Sequence, residues 1–180
     1  QCVLICALST KCKYMFFDET FDGLDPVIRN TMKKIMASLM EENNITIVMT
    51  SHNLRELEEF TGKSVHTLQD MVSASKKYLD RGVKYVLLSL GSEGAVLTDG
   101  RESYFCKSAS VAVNSTVGAG DSMVAATCVG IEKGVSMQEI LRMATAAGTA
   151  AVTTSGTNLF YKDKYDEIYS KVYLIQILLR

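Results

Sequence analysis

One stretch of the chain reads Asn114-Ser-Thr-Val-Gly-Ala-Gly-Asp-Ser-Met123, and it predicts the end of a strand, a glycine turn and the start of an apolar helix through Ile131. Gly118, Ala119 and Gly120 carry little or no side chain, so their backbone N–H groups can approach an anion closely. At a helix N-terminus, unpaired N–H groups and the helix dipole both favour negative charge. The turn is therefore a candidate anion hole.

Asp121 follows in the first turn of this predicted helix. In a simple phosphate cradle its carboxylate would repel the ligand, so a second role has to be considered. As a general base it would take a proton from a hydroxyl that attacks a phosphoryl group. The alternative is an acidic residue that only stabilises the helix dipole. The spacing alone leaves both interpretations open.

The run Val-Gly-Ala-Gly-Asp-Ser resembles the signature of the ribokinase-like (PfkB) sugar kinases, and the longer stretch is most similar to their 1-phosphofructokinase and tagatose-phosphate kinase branch. The resemblance implies that Gly118, Ala119 and Gly120 form the anion hole for the transferring phosphate and that Asp121 is the catalytic base. It implies ATP and Mg²⁺ as cofactors. The implied partners are a nucleotide and a sugar phosphate.

Composition and charge exclude several other classes of protein. The chain has 180 residues, 47% of them hydrophobic, and its formal net charge of −1 indicates neither nucleic acid nor an anionic membrane as a partner. No apolar run approaches the ~20 residues that span a bilayer, and no signal-peptide pattern opens the chain. The 5 cysteines lack paired zinc-ligand spacings, so reduced thiols and a cytoplasmic location are expected. The oligomeric state stays open.

The opening third predicts a strand–helix–strand unit with parallel strands. The predicted strands are Tyr14–Phe17 and Ile45–Met49, and Asp25 is the expected N-cap of the helix between them, which runs to about Glu42. Helical periodicity then places five apolar residues on one face of this helix: Ile28, Met32, Ile35, Met36 and Leu39.

This opening third resembles a second family. Phe16-Phe-Asp-Glu-Thr-Phe-Asp-Gly-Leu-Asp-Pro26 is similar to the Walker B strand and D-loop of an ABC-transporter ATPase, and Thr50-Ser-His-Asn-Leu-Arg-Glu-Leu-Glu58 to its switch-histidine region. The resemblance implies roles for Asp18 (metal), Glu19 (water activation), Asp25 (D-loop) and His52 (γ-phosphate). Because the chain contains no Gly-x4-Gly-Lys-[Ser/Thr] phosphate loop, we interpret these four residues as relics of an ATPase.

From Asn53 onward the kinase resemblance takes over. Asn53 and Glu56 match its Asn-x-x-Glu motif, which implies a place in the magnesium and phosphate network; a helix-start asparagine with an acidic first turn is the alternative. The two resemblances overlap at Asn53–Phe60, where we place a junction. The chain is thus predicted to be a single α/β domain built from residues 1–52 and 53–180.

The middle of the chain predicts a second half of the nucleotide site. Val83–Leu90 is a nearly continuous apolar strand, for which a central parallel position is expected. The turn after it is similar to the kinases' nucleotide-site turn, which implicates Ser89, Gly91 and Gly94; a plain hairpin is the alternative. Ala95–Thr98 and Ser103–Cys106 should pair around Asp99-Gly100.

Three further signals concern the helices. Thr67 should cap a helix through Leu79, and Ser136-Met-Gln-Glu139 is a capping-box pattern that opens a helix rich in small residues. Those small residues would let the helix lie close to a neighbouring element or to an adenine ring, and close packing alone is the commoner explanation. Thr153-Thr-Ser-Gly-Thr157 resembles part of the kinases' nucleotide rim.

Together these signals predict an α/β fold with an open, mostly parallel sheet and helices on both faces, ribokinase-like in the last two-thirds. The implied function is that of a 1-phosphofructokinase-type kinase fragment without a sugar-binding half, for which we expect no turnover of fructose 1-phosphate or tagatose 6-phosphate. The alternatives are an ABC-type ATP-binding or ATPase fragment and a non-catalytic recombinant chimera.

We predict that the two pieces of the chain unfold in a single transition. Strands Tyr14–Phe17 and Ile45–Met49 are apolar nearly throughout and need cover on both faces, while a lone unit of about 50 residues is marginal by itself. Phe17→Ala should therefore lower the stability of the whole chain, by roughly 3–5 kcal/mol where the side chain is buried. Hydrogen exchange checks this. Free exchange in residues 1–50 beside protection in residues 83–150 contradicts it.

Overall fold

The computed structural model describes residues 14–18, 25, 27–28, 31–32, 34–36, 38, 46–50, 66–80, 82–156 and 158–178. The chain divides into two compact units, Gln1–Glu56 and Leu57–Arg180. The boundary between them lies within Asn53–Phe60, the stretch in which the two family resemblances overlap. Whether both units unfold together stays a prediction.

The described part of the first unit is a parallel strand pair with helical residues between the strands. Strand β1 is Tyr14–Asp18 and strand β2 is Thr46–Thr50. They pair in parallel, with Tyr14 opposite Thr46 and Asp18 opposite Thr50. The predicted parallel pairing is confirmed, because the connection between the strands is long enough to cross over.

Residues 27–28, 31–32, 34–36 and 38 are helical. Asp25 caps this helix as predicted, since its Oδ1 accepts a hydrogen bond of 2.9 Å from the Val27 N–H. Met32 and Met36 are buried, but 42% of Ile35 is exposed. The expectation that Ile35 lies on the buried face is wrong, because it precedes Met36 by one helical step of about 100° and falls at the border of the apolar stripe.

The second unit contains a four-stranded antiparallel sheet in the order β3-β4-β5-β6. The strands are Val86–Ser89 (β3), Ala95–Thr98 (β4), Ser103–Lys107 (β5) and Tyr173–Gln176 (β6). The expectation of a mostly parallel sheet is not met in this unit, and β3 is an edge strand of it. Short turns join β3 to β4 and β4 to β5, and a short turn allows only antiparallel pairing. The predicted hairpin around Asp99-Gly100 is confirmed.

The apolar run in β3 has a different cause from the predicted one. Leu87 packs against the larger core cluster, and Leu88, which points to the opposite face, packs against the smaller cluster. Both faces of an antiparallel strand are therefore covered. The pattern correctly indicated burial on two sides, but burial on two sides does not require parallel neighbours.

The described part of the second unit has four helices: α1 (Leu68–Leu79), α2 (Ala119–Glu132), α3 (Met137–Ala151) and α4 (Lys162–Tyr169). Helices α1 and α3 pack on the sheet, and α2 and α4 pack against α3. Met71 and Val72 of α1 pack with Val96 on one face, while Leu141 and Ala144 of α3 pack with Leu97 on the other. Helices on both faces are thus confirmed for this sheet. Thr67 caps α1 as predicted, in a reciprocal capping box with Asp70.

Helices α2 and α3 approach each other at two glycines. A Cβ atom on Gly148 would lie 2.5 Å from Met123 Cγ, and one on Gly130 would lie 2.8 Å from Ile140 Cγ1. The predicted reason for the small residues of α3, close packing against a neighbouring helix, is confirmed. Within the described residues, no helix is long and apolar enough to cross a membrane.

We predict that Gly148→Ala destabilises the protein. The new methyl group would overlap Met123 Cγ at 2.5 Å and press on the Ala119 carbonyl oxygen at 3.3 Å, and overpacking of this kind costs about 1–3 kcal/mol, more than the ~1 kcal/mol that alanine gains in a helix. Gly120→Ala is the matched control, since a Cβ there meets nothing within 4 Å. Urea denaturation should show a lower midpoint for Gly148→Ala only. An unchanged or higher midpoint would mean that Met123 moves aside freely.

Candidate functional site

The predicted glycine turn opens helix α2. Gly118 is the N-cap with φ 78° and ψ 0°, a left-handed conformation that favours glycine. Its carbonyl oxygen accepts hydrogen bonds from both the N–H (3.0 Å) and the hydroxyl (2.8 Å) of Ser122. A Cβ atom on Gly118 or Gly120 would meet nothing within 4 Å. No neighbouring atom therefore fills the side-chain positions of these two glycines at the helix N-terminus.

Asp121 is the third residue of α2 and is exposed to solvent. The first residues of a helix have backbone N–H groups without acceptors inside the helix. The carboxylate of Asp121 thus stands beside the N–H groups that would hold an anion. This arrangement suits a group that receives a proton from a hydroxyl next to a bound phosphate.

The loop before the turn is tied to the end of α3. The N–H groups of Asn114 and Ser115 donate to the Val152 carbonyl oxygen at 2.8 and 3.3 Å, and Asn114 Nδ2 donates to the Thr153 carbonyl oxygen at 2.8 Å. These hydrogen bonds attach the loop before the glycine turn to the C-terminal end of α3, which follows the turn in the chain. The predicted rim segment at Thr153 therefore lies beside the loop that leads into the glycine turn.

The second predicted half of the site is a hairpin turn after β3. Ser89 is exposed and ends the strand, and Gly91 begins a short 3-10 turn, Gly91–Glu93, with φ 58°. Gly94 is buried, and a Cβ there would lie 2.0 Å from the Cys106 carbonyl oxygen. Close approach of β5 thus explains the glycine at position 94, while Ser89 and Gly91 face space that a ligand could use.

A cleft of about 670 Å³, which the sequence did not reveal, lies beside the anchored loop. It is lined by residues that include Ser110, Asn114, Thr153, Tyr161, Lys164 and Lys171. Glu167 also lines it, and its carboxylate pairs with Lys164 Nζ at 2.9 Å and Lys171 Nζ at 2.5 Å. Hydrogen bonds from Lys171 and Lys164 lower the pKa of Glu167 from 4.5 to about 2. Lys164 and Glu167 are three residues apart on α4, and Lys171 follows the end of that helix.

Helix α4, which carries these charges, is held on α3 by a second polar contact. The predicted capping box at Ser136 is half formed: Ser136 Oγ accepts from the Glu139 N–H at 3.3 Å, but the Glu139 carboxylate accepts from the Tyr169 hydroxyl. Arg142 lies over the Tyr169 ring at 4.3 Å. Burial, followed by the bond to Glu139, raises the pKa of Tyr169 to about 12. The Glu139 carboxylate therefore accepts a hydrogen bond from a residue of another helix instead of completing the capping box at Ser136.

The remaining predicted site residues belong to the first unit. Asp18 is the last residue of β1, and Asp25 is the helix cap described above. Glu19, His52, Asn53 and Glu56 lie outside the described residues. Among the residues that are described, no group of three or more His, Cys, Asp or Glu side chains could hold a metal ion. A magnesium ion brought in with ATP would need few protein ligands, because phosphate oxygens and water supply most of its coordination.

The fold is that of an α/β protein with an exposed glycine turn at a helix N-terminus, and comparisons with known proteins identify its family. Residues 11–164 match the model of the pfkB family carbohydrate kinases. The 1-phosphofructokinase of Escherichia coli K12 is 37% identical over 107 residues, which are 59% of this chain and 34% of that protein. The ATP-dependent 6-phosphofructokinase isozyme 2 of Mycobacterium tuberculosis is 35% identical over 124 residues, 68% of this chain and 37% of that protein.

Solved structures show the same fold. Phosphofructokinase-2 from Escherichia coli in complex with substrates and products has a TM-score of 0.74 at 23% identity, over 94% of this chain and 60% of that one. Arabidopsis thaliana ribokinase complexed with ribose and ATP has a TM-score of 0.69 at 20% identity, over 94% and 59%.

The chain belongs to the pfkB family of carbohydrate kinases. It spans between a third and a half of the length of the curated relatives it matches. The family match begins at residue 11 and so includes the segment that resembles the ABC ATPases. The ABC resemblance and the chimeric origin rest on the motifs quoted above and are not shown by these comparisons.

We predict that Glu167 contributes to the stability of the folded protein and that this contribution is lost in acid. Its pKa is lowered from 4.5 to about 2 in the folded protein, so the stability that its ion pairs supply is present above pH 4.5 and is lost as the pH falls toward 2. Wild type and Glu167→Gln should thus converge in urea midpoint over this interval. Salt at about 1 M, where charges are screened beyond about 3 Å, should reduce the difference between them. A carboxyl NMR titration centred near 4.5 would contradict the ion-pair geometry.

Proposed function

We propose that this chain carries the nucleotide- and phosphate-binding part of a 1-phosphofructokinase-type kinase, which transfers a phosphoryl group from Mg-ATP to a hydroxyl of a sugar phosphate. The observation that carries the proposal is the open, left-handed Gly118 turn with exposed Asp121 at the start of α2. The relatives named 1-phosphofructokinase and 6-phosphofructokinase support a phosphorylated sugar as the acceptor.

Each part of the site has a role in this reaction. The N–H groups of Gly118, Ala119 and Gly120 hold the transferring phosphate and stabilise its developing charge. Asp121 accepts the proton of the acceptor hydroxyl while the new O–P bond forms and the bond to the leaving ADP oxygen breaks. Ser89, Gly91 and Gly94 form the nucleotide turn. Asn53 and Glu56 contribute to the network around Mg²⁺, which would neutralise charge on the phosphate oxygens.

Titration calorimetry of the 180-residue chain with Mg-ATP tests the proposal. Gly120→Val should abolish binding, because a branched side chain would fill the space in front of the turn and cover its N–H groups. Asp121→Asn should retain binding, since it removes only a negative charge near the phosphates. Any turnover that a coupled assay detects should fall by ~10²–10⁴ in Asp121→Asn, the usual value of a general base. Binding that survives Gly120→Val unchanged would overturn the assignment of the turn.

One observation favours ATP binding in the first unit as a second candidate. Asp18 and Thr50 are opposite each other at the carboxyl ends of two parallel strands, and ligands of open α/β sheets bind at such ends. The residues that follow these strand ends are Glu19 and Ser51-His52. Loss of Mg-ATP binding in Glu19→Gln or His52→Ala, with Gly120→Val unaffected, would support this ABC-type function. Binding by neither set would support the non-catalytic chimera.

A further inference from the structure

The residue roles proposed above for phosphoryl transfer involve none of the side chains that line the cleft beside the anchored loop, although Thr153 and Thr154 of the predicted nucleotide rim form part of its wall. It lies on the side of the chain formed by Ser110–Asn114, the Thr153 segment and helix α4. Its volume of about 670 Å³ is large enough for a small organic molecule. Its walls combine two ammonium groups, an aromatic ring and several hydroxyl or amide groups, so its chemistry can be stated.

The charge of the cleft is positive. Lys164 of α4 and Lys171, in the turn just after α4, share the single carboxylate of Glu167. Two ammonium groups and one carboxylate leave a net charge of +1. Glu167 also holds both lysine side chains toward the cleft, which reduces the rotamer entropy that a ligand would have to restrict. Each ammonium group has three N–H donors and uses one on Glu167.

The remaining groups suit a phosphorylated ligand. Ser110 is exposed at the cleft and can donate a hydroxyl hydrogen. The Tyr161 side chain, 83% exposed at the rim, offers an aromatic face. Asn114 Nδ2 uses one hydrogen on the Thr153 carbonyl and has a second one to donate. A tetrahedral anion would thus meet donors on several sides.

We propose that this cleft binds a phosphate-bearing anion, at a site separate from the phosphate held by Gly118–Gly120. The shared chemistry is a phosphate group, which inorganic phosphate, a sugar phosphate or a nucleotide can supply. Because Asn114 and Thr153 form both the cleft wall and the anchor of the glycine turn, a bound anion would also brace the loop that precedes Gly118. This inference does not depend on the kinase reaction.

Calorimetric titration of the full chain with inorganic phosphate, fructose 1-phosphate and AMP tests the inference. Lys164→Gln combined with Lys171→Gln should weaken binding of all three ligands at least about tenfold, because charge-assisted hydrogen bonds are lost. Lys76→Gln combined with Lys162→Gln is the matched control, since it removes the same charge from exposed positions of α1 and α4 outside the cleft. Tyr161→Ala should weaken AMP only, if the base contributes by stacking.

The location of the bound anion is read independently by amide NMR shifts. Phosphate should shift the amides of Ser110–Asn114 and Thr153–Thr154 in wild type and in Gly120→Val alike. Binding that is unchanged in the double cleft variant, or that disappears in Gly120→Val, would assign the anion to the glycine turn and overturn the inference. A wild-type chain that binds inorganic phosphate in the cleft but does not bind Mg-ATP would contradict only the proposed kinase site.

Discussion

The close contact between α2 and α3 at Gly148 is the constraint on which the candidate site depends. With no side chain at this position, Met123 and the Ala119 carbonyl can lie against the backbone of α3. Ala119 is the first residue of α2, so the contact fixes where that helix begins. The hydrogen bonds from Asn114 and Ser115 to Val152 then fix the loop before it. The Gly118 turn, the candidate anion hole, is thus placed from two sides by α3 and the residue that follows it.

Helix α4 is held in place by apolar burial rather than by its ion pairs. Its ion pairs are exposed to solvent, where screening by water and salt leaves them little stabilising effect. Ile168 is fully buried, and Tyr165 and Tyr169 stack at 5.8 Å; burial of such side chains contributes about 1.5–3 kcal/mol each. Apolar contacts therefore hold the helix in place. Lys164 of this helix and Lys171, just after it, then set the charge of the cleft.

The two family resemblances coexist in a chain with two compact units. The kinase family match crosses the unit boundary, while Asp18 and Thr50, from the two ATPase-like stretches, lie at the carboxyl ends of one parallel strand pair. A parallel pair joined by a helix occurs in both families, so topology alone does not separate them. Substitution distinguishes the two resemblances, because nucleotide binding should be lost only when residues of the motif set that binds the nucleotide are altered.

Local features were determined by the sequence itself. The Gly118 turn, the Thr67 cap, the Asp99-Gly100 hairpin and the parallel pairing of β1 with β2 each follow from residue types within one short segment or from the length of one connection. The sequence also determined that both faces of β3 are buried. These features depend on neighbours along the chain, which a pattern records directly.

Only the tertiary structure decided how distant segments share their groups. The Glu139 carboxylate accepts a hydrogen bond from Tyr169, 30 residues away, instead of completing its local capping box. Asn114 Nδ2 donates to the carbonyl oxygen of Thr153, 39 residues away. The antiparallel setting of β3 and the cleft beside α4 are of the same kind. A side chain with two possible partners takes the one that packing brings within reach, and no periodicity in the chain encodes that choice.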